Sequence, residues 1–461
     1  MLADVDHTAV REGLERTAAL LADPAVPAIF EGFIVFDGVL VRPDLLERIG
    51  RNRWQLTEVK STSQVKPEHQ DDLAIQAYVL AGAGLLLDAC RLMHIDTADL
   101  YPGGLLDLRR FFAAEDLTCE VAGRQADIPE RLQVMRDALG RSTPPSIAAD
   151  DHCQDPYACP FWNHCTKDRP PRWIYHLPGD RKAFQELVAQ GVQTIDEIPA
   201  SFPLSLVQQR VRDNVEWIGP GLRAALKTIR YPVHHLDFET VGSAIPLYPN
   251  THPYQAIPFQ WSDHIESADG AVCYEEYLHD NVSDPRQPLA TSLLRTLGRE
   301  GSICVYTGYE QGILTALADA LPHLRDDLLA VIPRLWDLHP VIKAYYYHPG
   351  FAGSHSIKAV LSALVAELAY DDLEIQEGTL ASLQFHRMVF DNLDSVERVR
   401  IREALLKYCE RDTLAMVELR RVLRLKQVAR HNCIPSVRCT PHILSSPRVT
   451  CPIPMPTSIP P

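Results

Sequence analysis

The sequence predicts an α/β protein in which strands alternate with helices along most of the chain. Its length of 461 residues allows two or three domains, since one domain usually takes about 100–200 residues. Hydrophobic residues make up 46% and charged residues 23% of the chain, a balance typical of globular proteins. Short apolar runs are interleaved with segments of helical spacing, which favours sheets covered by helices.

The first domain is predicted over residues 1–170 as a mixed sheet with helices. Ile29–Val41 is rich in Ile, Phe and Val and contains Asp37-Gly38, a dipeptide that favours the two-residue turn of a β-hairpin. The other elements predicted in this domain are a helix over Val10–Leu21, a strand over Trp54–Lys60, and helices over His69–Leu87 and Ile128–Leu139.

Two segments lie outside the predicted α/β domains. A small helical connector is predicted over residues 171–228, with helices at Ala183–Gly191 and Leu204–Asn214. At the other end, residues 426–461 contain eight Pro, four Lys or Arg and no acidic residue. Because proline interrupts helices and sheets, we expect this Pro-rich tail to be disordered.

The second α/β domain is predicted over residues 229–425. It begins with a short apolar strand, Val233–Phe238, that ends in acidic residues. The elements predicted after it are strands over Pro258–His264, Ala271–Leu278 and Ser302–Tyr306, and helices over Leu289–Leu297, Ser356–Leu368 and Val396–Val422.

Charge and hydrophobicity limit the classes of function. The formal net charge of −15 excludes a basic surface over the whole chain, so any nucleic-acid contact is expected in a local groove. The sequence contains no run of about 18 apolar residues, the length of a membrane span, and its first residues are acidic, unlike a secretory signal. We therefore expect a cytoplasmic protein whose 11 cysteines are thiols or metal ligands.

Three acidic motifs occur in the second domain. Asp237 and Glu239 lie two residues apart in a predicted strand, so both side chains point to one face. Two such carboxylates repel unless a cation lies between them, and Mg²⁺ and Mn²⁺ prefer oxygen ligands; a charged strand end is the alternative. Tyr408 and Asp412 share one face of a predicted helix, and Glu310 opens a helix after a strand and a turn.

In this order, the three motifs resemble the DEDDy branch of the 3′–5′ exonucleases, which have a ribonuclease-H-like fold. The resemblance implies that Asp237, Glu239 and Asp412 hold two Mg²⁺ or Mn²⁺ ions. It also implies that Tyr408 orients the attacking water. Glu310 stands where that family usually has Asp.

Two neighbouring segments add candidates to this site. Asp337 is a second candidate for the position assigned to Glu310. In Gly353–Lys358, Ser354 or Ser356 is expected to cap a helix whose N-terminus faces a phosphate. Lys358 is a candidate contact to a nucleic-acid backbone, with a solvated lysine as the alternative.

The sequence of the second domain as a whole, over roughly residues 229–425, resembles the bacterial domain of unknown function 2779. Four segments carry this resemblance: Leu236–Thr240, Pro253–Gln260, Gly353–Lys358 and Tyr408–Thr413. It implies the same exonuclease-like fold.

The first domain contains a second acidic pattern. Asp44 precedes Glu58 and Lys60, which share one face of a predicted strand. The pattern resembles the PD-(D/E)xK core of RecB-like nucleases, and it implies that Asp44 and Glu58 bind Mg²⁺ while Lys60 polarises water or phosphate. Gln76 and Tyr78 follow on a helix, two residues apart rather than the usual four of that family.

Three cysteines, Cys153, Cys159 and Cys165, fall within thirteen residues. Thiolates at this spacing suit an iron–sulfur cluster or zinc; three unrelated thiols are the alternative. The triplet resembles the end of RecB-like nucleases with a 4Fe-4S staple, including CRISPR-associated ones, which add a fourth cysteine before the nuclease core. The first cysteine of this chain is Cys90, so we expect the first domain to lack its N-terminal part. Other candidates for the fourth ligand are Cys90, Cys119 and His164.

Taken together, these resemblances imply a metal-dependent nuclease that acts as a 3′–5′ exonuclease on single-stranded nucleic acid. No membrane partner is expected, and DNA repair or defence machinery is the setting that the resemblances suggest. The alternative is a non-catalytic scaffold that binds nucleic acid or protein through degenerate nuclease domains. The intact acids Asp237, Glu239 and Asp412 favour the enzyme, because a scaffold does not need a cluster of repelling carboxylates.

Overall fold

The chain folds as an α/β protein with mixed sheets and surrounding helices, as its sequence predicts. The structure is a computed structural model that describes residues 8–145, 147, 151–179 and 184–429. The chain divides into two compact units, of which the first comprises residues 1–166 with 243–255 and the second residues 167–242 with 256–461. The segment 243–255, inside the predicted range of the second domain, therefore belongs to the first unit.

A five-stranded sheet in the order β1-β4-β5-β6-β7 forms the centre of the first unit. Strands β5 and β6 are parallel, and the other pairings are antiparallel. The strands of this unit are β1 (Ala28–Phe30), β2 (Ile34–Phe36), β3 (Val39–Val41), β4 (Leu45–Gly50), β5 (Arg53–Lys60), β6 (Leu86–Ile95) and β7 (Phe112–Asp116). Its helices are α1 (Val10–Ala22), α2 (Pro67–Gly82), α3 (Leu108–Phe111), α4 (Thr118–Arg124), α5 (Ile128–Leu139) and α6 (Trp162–Thr166).

The predicted hairpin forms, but over a shorter range. Strands β2 and β3 pair around Asp37 and Gly38, which both adopt positive φ, as a two-residue turn requires. Ala28–Phe30, at the start of the predicted hairpin, instead joins the large sheet as β1. The hairpin prediction is therefore correct in its turn and wrong in its length.

The helix predicted over His69–Leu87 ends earlier than its hydrophobic pattern suggests. Helix α2 stops at Gly82, and Gly84 adopts a φ of +92°, a conformation that residues other than glycine rarely adopt. The apolar residues that follow begin strand β6 rather than another helical turn. A short apolar run does not distinguish a strand from a buried helix, which explains the error.

A second five-stranded sheet, in the order β11-β10-β9-β12-β13, forms the centre of the second unit. Strands β9, β10 and β11 form an antiparallel meander, and β12 and β13 run parallel to β9. The strands of this unit are β8 (Trp217–Ile218), β9 (Val233–Val241), β10 (Ile257–Glu266), β11 (Val272–Leu278), β12 (Ser302–Val305), β13 (Leu335–Asp337) and β14 (Tyr346–Tyr347).

Helices cover both faces of this sheet. On one face, Leu236 and Phe238 of β9 share a buried core with α10, α11 and α12, whereas α16 packs on β9 and β10. The helices of this unit are α7 (Gln185–Ala189), α8 (Leu206–Asp213), α9 (Leu222–Leu226), α10 (Arg286–Leu297), α11 (Tyr309–Ala320), α12 (Arg325–Val331), α13 (Leu338–Tyr345), α14 (Ile357–Leu364), α15 (Gly378–Phe390) and α16 (Ser395–Ala429).

The end of α16 overlaps the predicted tail. The helix continues to Ala429, so the first four residues of the range 426–461 are helical, and residues 430–461 lie outside the described residues. Seven cysteines of the described chain are free thiols, whereas Cys273 is disulfide-bonded, contrary to the expectation of thiols or metal ligands. Among the described helices, none combines the length and the apolar character of a membrane span.

Candidate metal centre

The candidate metal centre of the second unit begins with two residues of strand β9. Because side chains alternate along a strand, burial of Leu236 and Phe238 in the core on one face directs Asp237 and Glu239 to the other. Glu239 is 7% exposed, and Asp237 keeps more contact with solvent. Two neighbouring carboxylates therefore lie on the sheet face that α16 covers.

Helix α16 is fixed to this face by polar side chains of β10. Asp237 pairs across the sheet with Ser262, and Glu239 pairs with Gln260, so the two acids lie beside these polar residues. The bonds to the helix are Gln260 Nε2 to Leu405 O at 3.0 Å, Ser262 Oγ to Cys409 O at 2.7 Å and His264 Nδ1 with Thr413 Oγ1 at 2.8 Å. These buried bonds set the height and rotation of α16 over the acids.

The helix places three further polar side chains against the acids. Tyr408 and Asp412 are buried one turn apart, with Asp412 8% exposed. Cys409 lies between them, and its Sγ is 3.8 Å from Oδ2 of Asp237. Among the described residues, one group of three potential ligands has all its ligand atoms within 4.8 Å of one another: Asp237, Glu239 and Cys409. The sequence motifs did not indicate Cys409, because a lone cysteine beside a tyrosine carries no pattern.

Cys409 acts as a hydrogen-bond donor to Asp237. Burial raises the pKa of its thiol well above the ordinary value, and the nearby charges of Asp237 and Glu239 raise the pKa further. The neutral thiol donates to the Asp237 carboxylate, a weak bond that helps to orient it. The oxygen atoms of the neighbouring carboxylates are the ligands suited to Mg²⁺ or Mn²⁺.

The carboxylates destabilise one another's charged forms. Burial raises the pKa of Asp237 well above its ordinary value, and the charges of Asp412, Glu239 and Glu310 raise the pKa further. Burial and Asp412 likewise raise the pKa of Glu239. The pKa of Asp412 is raised to about 6, mainly by burial. A divalent cation would remove this repulsion, so the donor set fits a hard cation.

Glu310, rather than Asp337, offers a free carboxylate near Asp237. Glu310 lies in the first turn of α11, is 2% exposed, and its Oε2 is buried without a hydrogen-bond partner. The carboxylate of Asp337 is engaged in hydrogen bonds, because its Oδ1 accepts from the backbone N–H of Thr307 and of His339, both at 2.9 Å. Asp337 thus caps α13, which leaves Glu310 as the better candidate of the two.

Burial raises the pKa of Glu310 to about 8, and the charge of Asp337 adds to the effect. In metal-free protein, the folded state holds this proton at a pH where the unfolded chain has released it, so stability decreases as pH rises from about 5 to 8. The Glu310→Gln variant should therefore lose less stability over this range than the wild type. Melting in EDTA at several pH values measures this; parallel profiles for the two proteins would contradict it. Asp326→Asn, an exposed acid of α12, is the control.

The two candidate substrate contacts take different places. Ser356 caps α14, since its Oγ accepts from the N–H of Ala359 at 3.3 Å, as predicted. Lys358 follows two residues later, with its Nζ 5.2 Å from the ring centre of Tyr370 and 5.9 Å from that of Tyr408. Its amine donates to the carbonyl of Gln376 and lowers the pKa of nearby carboxylates, so Lys358 is partly a counter-charge to the acids.

A cavity of about 420 Å³ lies beside the acids. Glu239 and Thr240 of β9 form one wall, and the hydroxyl of Thr240 hydrogen-bonds to that of Tyr309 at 2.7 Å. Thr379 and Ser382 of α15 form the opposite wall. The cavity therefore combines hydroxyl groups and a half-exposed aromatic ring next to a carboxylate of the centre.

The first unit gathers a second acidic cluster. Lys60 Nζ contacts Glu58 Oε1 at 2.7 Å and Asp72 Oδ2 at 2.6 Å. Asp44 accepts from the N–H of Val59 at 2.6 Å, which places it against the same strand. Asp44 and Glu58 lie close enough to influence each other's pKa, and burial raises both values. Burial lowers the pKa of Lys60, but hydrogen bonds to the two acids outweigh this and raise it.

Of the two helical residues that follow, one reaches this cluster. Gln76 Nε2 donates to Glu58 Oε2 at 2.8 Å, whereas the hydroxyl of Tyr78 donates to Asp37 at 3.2 Å, in the hairpin turn. Residues two apart on a helix point in different directions, which explains the difference.

The three cysteines of the predicted metal knot lie within one short segment, in which Cys153 ends a 3-10 helix and Cys165 lies in α6. Cys153 is buried, Cys159 is half-buried and Cys165 is exposed, and all three are free thiols. The N–H of Cys159 donates to the carbonyl of Cys153 at 2.8 Å, which closes the loop between them. Among the described residues, the sulfur atoms of these three cysteines do not all lie within 4.8 Å of one another. The metal cluster therefore stays a prediction.

Comparisons with known proteins bear on one part of the chain. A protein-family model described as Domain of unknown function (DUF2779) matches residues 234–356. The matched range includes Asp237, Glu239 and Glu310, and it ends before Tyr408 and Asp412. No curated protein and no solved structure matches the chain. The family match supports the resemblance that the sequence motifs indicate for this range.

Proposed function

We propose that the second unit is a metal-dependent 3′–5′ exonuclease that hydrolyses single-stranded nucleic acid. The observation that carries the proposal is the convergence of Asp237, Glu239 and Asp412 from two distant parts of the chain. Glu310, whose buried Oε2 has no hydrogen-bond partner among the described residues, lies near Asp237. The strand order of the sheet and the order of the motifs agree with the ribonuclease-H-like fold of the DEDDy exonucleases. A cation site needs a cluster of buried, mutually repelling carboxylates, whereas a scaffold does not.

The residues of the centre divide the work of phosphodiester hydrolysis. Bound divalent cations would supply the positive charge that polarises the phosphoryl group and lowers the pKa of water. Asp237, Glu239 and Asp412 would hold them, with Glu310 as a further ligand. Tyr408 is buried beside Asp412, where its hydroxyl would orient the attacking water. The cavity beside Glu239 would hold the terminal nucleotide against the acids.

The test of this function is digestion of a 5′-labelled single strand in Mn²⁺. We expect the wild type to release nucleotides from the 3′ end and Asp237→Ala to release none. Asp326→Asn, which removes an exposed acid of α12, should cleave like the wild type. An intact substrate with wild-type protein, under conditions in which Mn²⁺ binds, would favour the non-catalytic scaffold instead.

The first unit supports a second candidate function. The contacts among Asp44, Glu58, Lys60 and Gln76 agree with a PD-(D/E)xK nuclease site, in which Asp44 and Glu58 would bind Mg²⁺. Lys60 forms salt bridges to Glu58 and Asp72, and its amine would polarise a phosphate once a cation is bound. Cleavage that survives Asp237→Ala and is lost in Glu58→Gln would assign activity to this cluster.

We further propose that Cys153, Cys159 and Cys165 bind a 4Fe-4S cluster or zinc. Anaerobically purified protein should contain iron and acid-labile sulfide, or zinc, and Cys165→Ser should lose most of it. Cys304→Ala is the control, because Cys304 is a free thiol of the second unit and is not a candidate ligand of the cluster. Metal analysis of the three proteins measures this. Equal metal content in wild type and Cys165→Ser, or none in either, would mean that the three thiols are unrelated.

A further inference from the structure

The segment between α14 and α15, residues 365–377, crosses α16 next to the metal centre, and we call it the strap. Arg411 of α16 donates to the backbone carbonyls of Leu368 and Ala369, and it forms an ion pair with Asp372 at 2.9 Å. Arg400 of α16 forms an ion pair with Glu374 of the strap. The strap is thus fixed to α16 on both sides of Tyr370.

The side chain of Tyr370 points from the strap to Asp412. It is 6% exposed, and its hydroxyl donates a hydrogen bond to Oδ1 of Asp412. The rings of Tyr370 and Tyr408 pack edge to face with their centres 6.2 Å apart. Arg411 directly precedes Asp412, and it bonds to the carbonyl of Ala369, which directly precedes Tyr370. The two backbones are therefore held together next to the Tyr370–Asp412 bond.

Only one oxygen of Asp412 is used by this bond. In the described part of the chain, Oδ2 of Asp412 accepts no hydrogen bond, whereas Oδ1 is occupied by Tyr370. A carboxylate held through one oxygen cannot rotate freely, so the other oxygen keeps its direction. Asp412 lies close enough to Asp237 and Glu239 for its charge to act on both of them.

We propose that Tyr370 is a positioning residue, which orients Asp412 so that Oδ2 is available to a divalent cation. The inference rests on the proposed metal centre and assigns to Tyr370 a role separate from that of Tyr408. Tyr408 would act on water during turnover, whereas Tyr370 would act on the cation through Asp412. Nothing in the motifs of the sequence indicates Tyr370, because it lies in an irregular segment between two helices.

The test compares Mn²⁺ binding and cleavage in Tyr370→Phe and Tyr408→Phe at one pH. Loss of a hydrogen bond to a ligand typically weakens metal affinity about 10–100-fold, so Tyr370→Phe should raise the dissociation constant for Mn²⁺ by at least about tenfold. Its kcat at saturating Mn²⁺ should stay near the wild-type value. Tyr408→Phe should show the opposite pattern, with lower kcat and unchanged affinity. Tyr346→Phe, which removes a tyrosine hydroxyl from Glu216 outside the centre, is the matched control.

Binding is read by electron paramagnetic resonance of free Mn²⁺, which does not require cleavage. Wild-type protein that binds Mn²⁺ without cleaving would contradict the exonuclease and still test Tyr370. Unchanged affinity in Tyr370→Phe would overturn the inference, and tighter binding would show that Tyr370 competes with the cation for Asp412. Wild-type protein that binds no Mn²⁺ would also overturn it. Melting curves of the variants check that they fold.

Discussion

Replacing Asp237 with Asn should abolish cleavage and make the metal-free protein more stable near pH 8. The charges of Asp412, Glu239 and Glu310 all act on the carboxylate of Asp237. Removing one negative charge from this group removes repulsion that the folded state carries and the unfolded chain does not. The same change removes a ligand that the cation needs. Stability and activity should therefore change in opposite directions.

Melting in EDTA and digestion in saturating Mn²⁺ measure the two effects on the same preparations. The melting temperature of Asp237→Asn should exceed that of the wild type at pH 8, and the difference should shrink toward pH 5, where the wild-type acids hold more protons. Added Mn²⁺ should stabilise the wild type and not the variant. A variant that cleaves at the wild-type rate in saturating Mn²⁺ would eliminate Asp237 as a catalytic residue.

Tyr408→Phe should slow turnover by about 10²–10⁴ without a change in Mn²⁺ affinity. The substitution keeps the buried ring against Tyr370 and removes the hydroxyl that would orient water. Asp412, four residues later, keeps its own hydrogen bond from Tyr370, so the ligands should stay in place. Single-turnover cleavage at several Mn²⁺ concentrations separates kcat from metal affinity. Wild-type turnover in this variant would limit Tyr408 to packing.

The acidic centre could be predicted from the sequence to the extent that its residues follow regular periods. Asp237 and Glu239 are two apart on a strand, and Tyr408 and Asp412 are four apart on a helix, so the spacing predicts that the members of each pair share a face. The structure brings both pairs together where α16 covers β9. Their roles as ligands and as a water-orienting group stay predictions.

The remaining parts of the centre depend on tertiary contacts that leave no periodic pattern. Tyr370 reaches Asp412 because Arg411 holds the strap, and no spacing in the sequence relates these residues. Gln260 and Ser262 bond to α16 from the middle of a buried strand, where apolar residues would be expected. The sequence likewise leaves open whether Glu310 or Asp337 joins the centre. The structure favours Glu310, because Asp337 caps a helix.

In the first unit too, periodic spacing predicts which residues share a face, and the sequence does not predict contacts between distant elements. Glu58 and Lys60 share a strand face, as the period of two requires, and their contact with Asp44 could be expected from the resemblance. The salt bridge from Lys60 to Asp72 was not predicted, because it joins a strand to a helix that begins after a loop.

The most direct test of the account is a crystal structure of the protein soaked in Mn²⁺, with the ions located by anomalous scattering. The account predicts two anomalous peaks about 3.5–4 Å apart, bound by oxygen atoms of Asp237, Glu239 and Asp412, with Glu310 within reach of one of them. In the same crystals, the Tyr370 hydroxyl should still contact Asp412. A map with strong peaks elsewhere and none among these carboxylates would contradict the metal centre and, with it, the proposed exonuclease.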